Sequence, residues 1–355
     1  MTILSIGKTT YDIIIPVDNY PAENTKTIVT EKLEGSGGVA CNVAHLLGKW
    51  NTEPYFAGIV GYDEFGSTIR KELDAEHVST TYLEINYENK TTTTFVINNK
   101  SNTSRTQLMI EPQVYHLKRY DYDLSPNIIY SDGFEYSATM AAVNKFKTVP
   151  LVLGAGLGYG DTKEILALAK YAKYIVFSRD FAEQLTKMKI DPTNANSLLN
   201  LYKALKERFN EQEVVVTLGA NGVLYSVSNN VQYMPTIPVK EVDRTAAGDI
   251  FDGAFVYSLG KGYDIEKCMR IANIAAGLST TKMGGKDSIP LLSDVIQYYE
   301  SRFGPLESVG ESNPAVQTPA QVNTMVAASN ETVSNETNSA TSMQDTSAPS
   351  NQAQP

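Results

Sequence analysis

The 355-residue sequence contains only two cysteines, Cys41 and Cys268. Both fall in apolar, helix-like stretches, so no disulfide framework is expected and a reducing cytoplasm fits. The three histidines, His45, His77 and His116, do not form a zinc-type spacing. No apolar run approaches the roughly 18 residues that a membrane-spanning helix needs. The opening stretch, MTILSIGKTTYDIII, lacks a basic n-region and a small-residue cleavage site, so no signal peptide is read and the expected location is cytoplasmic. Basic residues are in deficit: 30 Lys and Arg stand against 40 Asp and Glu, for a net charge of −10. That disfavours nucleic acid or an anionic membrane as partner, because both recruit basic patches. The pattern G-x-x-x-x-G-K-[ST] is missing, which excludes a P-loop ATPase. G-x-G-x-x-G is missing near the first apolar run, which argues against a dinucleotide-binding dehydrogenase.

What is present suits a folded enzyme. The hydrophobic share is 42%, enough for a sizeable core. The last Lys or Arg is Arg302, and beyond it the chain turns to Ser, Thr, Asn, Gln, Ala and Pro. Such a composition buries too little apolar surface to offset its ordering entropy. We therefore expect one domain over 1–304 and a disordered tail over 305–355. Short aliphatic runs at Ile3–Ile6, Ile128–Tyr130, Leu151–Leu153, Tyr174–Phe177 and Val214–Leu218 read as buried parallel strands. Helical patterns lie near 40–50, 64–76, 137–146, 161–171, 194–209, 249–260 and 264–282. This alternation predicts an α/β layered fold with right-handed crossovers. Ligands then bind beyond the C-terminal ends of the strands. Two Thr-, Tyr- and Ile-rich segments, about 12–33 and 80–110, break the rhythm and predict a small β-sheet lid, with a turn at Asn98–Ser104.

Two segments carry chemistry. Asp243-Arg244-Thr245-Ala246-Ala247-Gly248-Asp249 leads straight into a helical pattern. Its small residues permit a tight turn, and the free N–H groups of the helix start form an anion site for a phosphoryl group. Asp249, in the first turn, is placed to take a proton from a hydroxyl while the amides of Ala247 and Gly248 hold developing charge. The second segment, Gly35-Ser36-Gly37-Gly38-Val39-Ala40-Cys41-Asn42, sets a double glycine before a helix. Asn42 there offers a donor and an acceptor to a polyol. Asn51 should end that helix, since Asn tolerates the left-handed conformation.

Together these segments resemble the PfkB, or ribokinase-like, family of sugar kinases, along essentially all of 2–304. GGVACNVA at 37–44, continuing through Gly58, Gly61, Asp63 and Gly66, is similar to the family's first signature. DRTAAGDIFDGAF at 243–255 is similar to its second. Thr217-Leu218-Gly219-Ala220-Asn221-Gly222 resembles its nucleotide loop, and 273–290 its C-terminal segment. The resemblance implies a three-layer sandwich with a mainly parallel central sheet and a β-sheet lid. It implies transfer of the γ-phosphoryl group of ATP, with Mg2+, to the hydroxyl of a small sugar or sugar phosphate. In that reading Asp249 is the base, and Ala246, Ala247 and Gly248 form the anion hole. Asp12, Gly38 and Asn42 bind the sugar, and Arg105 on the lid reaches a phosphate. Thr217, Gly219, Gly222 and Asn273 contact the nucleotide. Asp243 and Ser288 lie near a monovalent-cation (K+) site, and two lids pair into a homodimer in some members.

The sequence also departs from the family pattern. Ser178 and Phe181 stand where many members carry Asn-x-x-Glu, a motif that orders phosphates and magnesium. Glu183 comes two residues late. The Ser-x-x-Phe-Ala version is similar to a branch near ketohexokinase and sulfofructose kinase. Val39 replaces the lysine of ribokinases proper, Arg244 replaces a threonine, and Asp252 stands where that branch often has histidine. A nucleoside kinase, with Tyr11, Tyr82 and Phe95 under the lid, and a non-catalytic sugar-binding or regulatory protein remain as alternatives.

Overall fold

A computed structural model describes residues 1–111, 115–156 and 160–306. The chain begins with β1 (Thr2–Ile6), β2 (Thr10–Val17), β3 (Leu33–Gly37), α1 (Val39–Lys49), β4 (Glu53–Gly61) and α2 (Glu64–Ala75). It continues through β5 (Ser79–Asn86), β6 (Thr93–Asn99), β7 (Ser104–Ile110), β8 (Ile128–Ser131) and α3 (Tyr136–Lys145). Then come β9 (Leu151–Ala155), α4 (Thr162–Ala169), β10 (Tyr174–Ser178), α5 (Arg179–Thr186), α6 (Ala195–Arg208) and β11 (Glu213–Thr217). The hairpin β12 (Val223–Val227) and β13 (Asn230–Met234) precedes α7 (Ala247–Gly260), α8 (Ile265–Ser279) and α9 (Leu292–Phe303).

Nine strands form the main sheet in the order β13-β12-β11-β10-β9-β8-β1-β4-β5. All neighbours from β11 to β5 run parallel, and only β12 and β13 run antiparallel. The central strands are apolar on both faces because both are covered. Along β1, Ile3 joins a core with α1, α7, α8 and α9, while Leu4 and Ile6 join a second core with α3, α4 and α6. This is the three-layer sandwich expected. Helix α1 ends as predicted, with Asn51 in the left-handed region at φ 55°.

Four strands form the lid in the order β3-β2-β6-β7. Only three residues separate β1 of the main sheet from β2 of the lid, so Lys8 lies on the joint between body and lid. In β2, β6 and β7 one row of facing residues is Asp12, Thr94 and Met109. The expected lid boundaries need correction. Residues 79–86 form β5, an edge strand of the main sheet parallel to β4. Its alternating polar residues reflect a half-exposed edge, and its Leu83 and Ile85 pack on the main core. No strand runs between Asp18 and Lys32. The tail expected over 305–355 lies outside the described residues beyond Leu306. Pro305 and Leu306 belong to the domain side, because Leu306 packs against the core and its N–H donates to Glu300 Oε1 at 3.2 Å.

Candidate active site

The acceptor side of the site is built by the start of the chain. A cavity of about 210 Å³ lies between lid and body, above the C-terminal ends of β9, β10 and β11, and Asp12, Gly38, Asn42, Arg105, Ala246, Gly248 and Asp249 all line it. The double glycine has a separate reason at each position. A side chain at Gly37 would collide with the Asp12 carboxylate, and Gly38 adopts φ 96° with the Lys8 carbonyl at 2.4 Å from where a Cβ would be. The two glycines thus let β3 and α1 close tightly around Asp12. The Asp12 carboxyl is pushed up by burial, while hydrogen bonds from Thr10 and Thr94 and the charge of Arg105 pull it back. Asn42, one turn into α1, donates from Nδ2 to Asp249 Oδ2 at 2.7 Å. Its Oδ1 is buried and unpartnered. A buried acceptor without a donor costs free energy until something fills it, and here the cavity is where a hydroxyl would arrive.

Asp249 stands in the first turn of α7. Burial raises its pKa to about 6, against the hydrogen bond from Asn42 and the charge of Arg105, with Asp12 and Asp132 adding to the rise. The turn before it is strained: Ala246 sits at φ 60°, which non-glycine residues adopt at a cost. That twist ends the loop and aims the first amides of α7 into the cleft. The anion hole is narrower than expected, since the Ala247 N–H is spent on the Arg244 carbonyl at 3.2 Å. Gly248 and Asp249 follow in the first turn, where a helix leaves its N–H groups without carbonyl partners. A Cβ at Gly248 would meet nothing within 4 Å, so the turn opens onto free space.

The second cavity, about 670 Å³, is lined by Thr217, Gly219, Gly222 and Asn273, the four residues expected at the nucleotide. Asn273 Nδ2 donates to the Pro235 carbonyl at 2.6 Å, which fixes the α8 side of the cleft. The two cavities share three residues: Arg105, Thr217 and Gly248. Arg105 crosses from the lid, with Nη1 donating to the Arg244 carbonyl at 2.5 Å. A nucleotide-sized cleft, an acceptor cavity and a carboxylate beside their shared Gly248 are the parts of a phosphoryl transferase.

The sequence matches the model of the pfkB family carbohydrate kinases over residues 2–292. The chain belongs to that family. It is 25% identical to the ribokinase of Bacillus subtilis over 298 residues, covering 82% of this chain and 96% of that one. Its fold is similar to Arabidopsis thaliana ribokinase complexed with ribose and ATP, with TM-score 0.68, 22% identity, and 83% and 97% of the two chains covered. It is equally similar to a Methanocaldococcus jannaschii nucleoside kinase, with TM-score 0.69, 19% identity, and 84% and 98% covered. These relatives do not support the branch near ketohexokinase. No helix among the described residues is long and apolar enough to cross a membrane.

Against the pfkB pattern, the place of Asn-x-x-Glu is now clear. Ser178 Oγ accepts from the Phe181 N–H at 3.3 Å and caps α5. Phe181 is buried and stacks on Phe177. Glu183 is consumed by Arg179, Lys189 and the Ile190 N–H. Two carboxylates line the nucleotide cleft: Glu241, which is paired with Arg244, and Asp180, which sequence reasoning passed over. Thr217 lines the same cleft, and carboxylate and hydroxyl oxygens are donors of the kind Mg2+ prefers. The monovalent-cation pair fits less well. Asp243 already accepts from Thr245 N–H and Oγ1 and from the Gly284 N–H, and Ser288 Oγ donates to the Gly285 carbonyl. These two side chains tie the 243–245 turn and the 284–288 loop in place.

Two other pocket residues were given no site role by the sequence: Lys8 lies outside every motif, and Asp252 lies within 243–255 but stood out only as a departure from the family pattern. Lys8 lines the acceptor cavity, and Asp252, one turn after Asp249, lines it opposite Gly154. Asp252 Oδ2 accepts from the Tyr130 hydroxyl at 2.7 Å. Tyr11, Tyr82 and Phe95 do not line either cavity. Tyr11 stacks on Phe65 at 4.2 Å, and Tyr82 packs edge-on against Tyr122.

Proposed function

We propose that this pfkB kinase transfers the γ-phosphoryl group of ATP to a hydroxyl of a small sugar, with Asp249 as general base. The observation that carries the reading is the junction: Asp249 lines the acceptor cavity beside Gly248, which also lines the nucleotide cleft. Asp12, Asn42 and the backbone at Gly38 would fix the sugar, because polyol hydroxyls need both donors and acceptors. Asn42 would also hold the Asp249 carboxylate toward the reacting hydroxyl. The proton moves from that hydroxyl to Asp249 as the oxygen attacks phosphorus. The Gly248 and Asp249 amides and Arg105 then face the oxygens of the transferring group, where charge is spread in the transition state. Bound Mg2+ would neutralise phosphate charge, with Asp180 as the protein carboxylate available to hold it.

The same fold serves a nucleoside kinase. Here, however, the aromatic side chains offered for a base are committed elsewhere, and among the described residues only Val39, Met109 and Val176 are large and apolar in the acceptor cavity. That supports a sugar. On the outer face of β7, Leu108 and Ile110 are each 56% exposed, which supports pairing of two lids in a homodimer. The experiment that tests the function is an ATP-consumption screen of the purified chain against pentoses, hexoses and nucleosides. Turnover with nucleosides alone would replace the sugar reading. Sugar binding without turnover would favour a non-catalytic protein.

A further inference from the structure

We propose that the acceptor cavity takes an uncharged polyol and rejects a sugar that already carries phosphate, with Glu111 as the residue that enforces the choice. This rests on the kinase reading above and narrows its substrate. The cavity is lined by two cationic side chains, Lys8 and Arg105, and three carboxyls, Asp12, Asp249 and Asp252. Neither cation is free. The Lys8 ammonium is 6% exposed and sits 2.8 Å from Glu111 Oε1, at the end of lid strand β7. It also lies 4.5 Å from the centre of the Phe134 ring. Behind it, Asp132 accepts from the Lys8 backbone N–H at 2.9 Å. Arg105 donates to the Arg244 carbonyl and favours the charged forms of Asp12 and Asp249.

What remains open to a ligand is rich in acceptors. Asn42 Oδ1 is buried and unpartnered, and Asp12, Asp249 and Asp252 present carboxyl oxygens. Sugar hydroxyls donate to such groups, whereas a phosphate dianion can only accept. Burial, reinforced by the charges of neighbouring carboxylates, already pushes Asp249 to about 6 and Asp252 to about 8. A phosphate would meet the same burial, and repulsion from the ionised Asp249 carboxylate. With Arg105 directed to the transferring phosphoryl group, Lys8 is left to offset this, and Glu111 holds it. Selectivity by an occupied counter-charge is rejection of the wrong substrate rather than better contact with the right one.

The test compares acceptors that all keep a free primary hydroxyl: fructose against its 1- and 6-phosphates, and ribose against ribose 1-phosphate. We expect kcat/KM for the uncharged member to exceed that of its phosphate by at least ~10²-fold, the scale of a like-charge contact. Glu111→Gln keeps the size and frees Lys8, and should narrow that ratio by ~10-fold or more. Adding Lys8→Met to Glu111→Gln should restore the ratio. A wild-type preference for a phosphorylated sugar, or an unchanged ratio in a folded Glu111→Gln protein, overturns the proposal while leaving the kinase reading intact. If neither class of sugar supports ATP turnover, the kinase reading fails. Calorimetric titration of the full chain with the same sugars then decides the charge question: binding of fructose or ribose but not their phosphates supports it, and the reverse overturns it. Should Glu111→Gln not fold, the wild-type comparison decides alone.

Discussion

Asp249 is held at its Oδ2 by Asn42 and surrounded by carboxyls, so its chemistry can be tested one atom at a time. Asp249→Asn keeps the shape and removes the proton acceptor. We expect kcat to fall at least ~10²-fold, the usual general-base contribution, with little change in ATP affinity measured by calorimetry. The base must be ionised to act, and its pKa is raised to about 6. The kcat/KM profile should therefore fall as pH drops below about 6. Arg105 favours the ionised form, so Arg105→Ala should move that acid limb upward as well as lowering the rate. An unmoved limb in a measured pH profile would mean that Arg105 does not act on Asp249. Residues of this kind were legible in the sequence when they belonged to a spaced pattern. Asp12, Gly38, Asn42, Gly248 and Asp249 all reach one cavity. Lys8 and Asp180 were not legible, because their roles come from which strand ends the topology brings together, and no local spacing records that.

At the scale of elements, the turn into α7 and the lid carry the consequences. Gly248→Val would place a side chain into the open space at the junction, where the amides face the cleft. Valine costs a helix less than ~1 kcal/mol relative to alanine, so the fold should persist. Circular dichroism should be unchanged while kcat drops by about 10²–10³-fold, as when an oxyanion donor is lost. The lid holds an opposite case. Asn98 on β6 is fully buried, and neither its Oδ1 nor its Nδ2 has a partner. Asn98→Leu removes two unpaired polar atoms and should stabilise the protein by about 1–3 kcal/mol, read as a higher Tm. A lower Tm would show that the amide is satisfied in solution. The elements were unevenly legible. Apolar runs such as Leu151–Leu153 declared themselves because both faces are buried. β5 misled because an edge strand with alternating Thr and Tyr looks the same whether it borders a large sheet or belongs to a small one. Helix α5 hid behind the reading of Ser178 as a ligand position, when its side chain is an N-cap.

The whole molecule was legible as far as its class: strand–helix alternation gave the layered sheet, while the β12–β13 hairpin edge lacked a strong apolar run. Two outcomes belong to this scale. Asp132, Asp249, Asp252 and Glu135 all have carboxyl pKa values raised by burial, to about 6 or about 8. The folded chain therefore binds more protons than the unfolded chain between about pH 4 and 8, and these groups stabilise less as pH rises through that window. The Tm of the ligand-free protein should drop from pH 6 to pH 8, and Asp252→Asn should make the drop shallower. Truncation after Leu306 should leave Tm and activity unchanged, because the residues beyond it have no core-forming pattern. Cutting before Leu306 removes a packed side chain and should lower Tm.

The two cavities differ in what closes them. The acceptor cavity has Thr94, Gln107 and Met109 of the lid as its roof, whereas only 103–105 of the lid reach the nucleotide cleft. The roof is tied at both ends, through Lys8–Glu111 and Arg105–Arg244. Entry and exit of the sugar thus require the ties to break, while the nucleotide can exchange with the roof in place. Steady-state turnover should accordingly be sequential and ordered, with the sugar first on and its phosphorylated product last off. Product inhibition would display that order: the phosphorylated sugar would compete with the sugar, and ADP would be non-competitive with it.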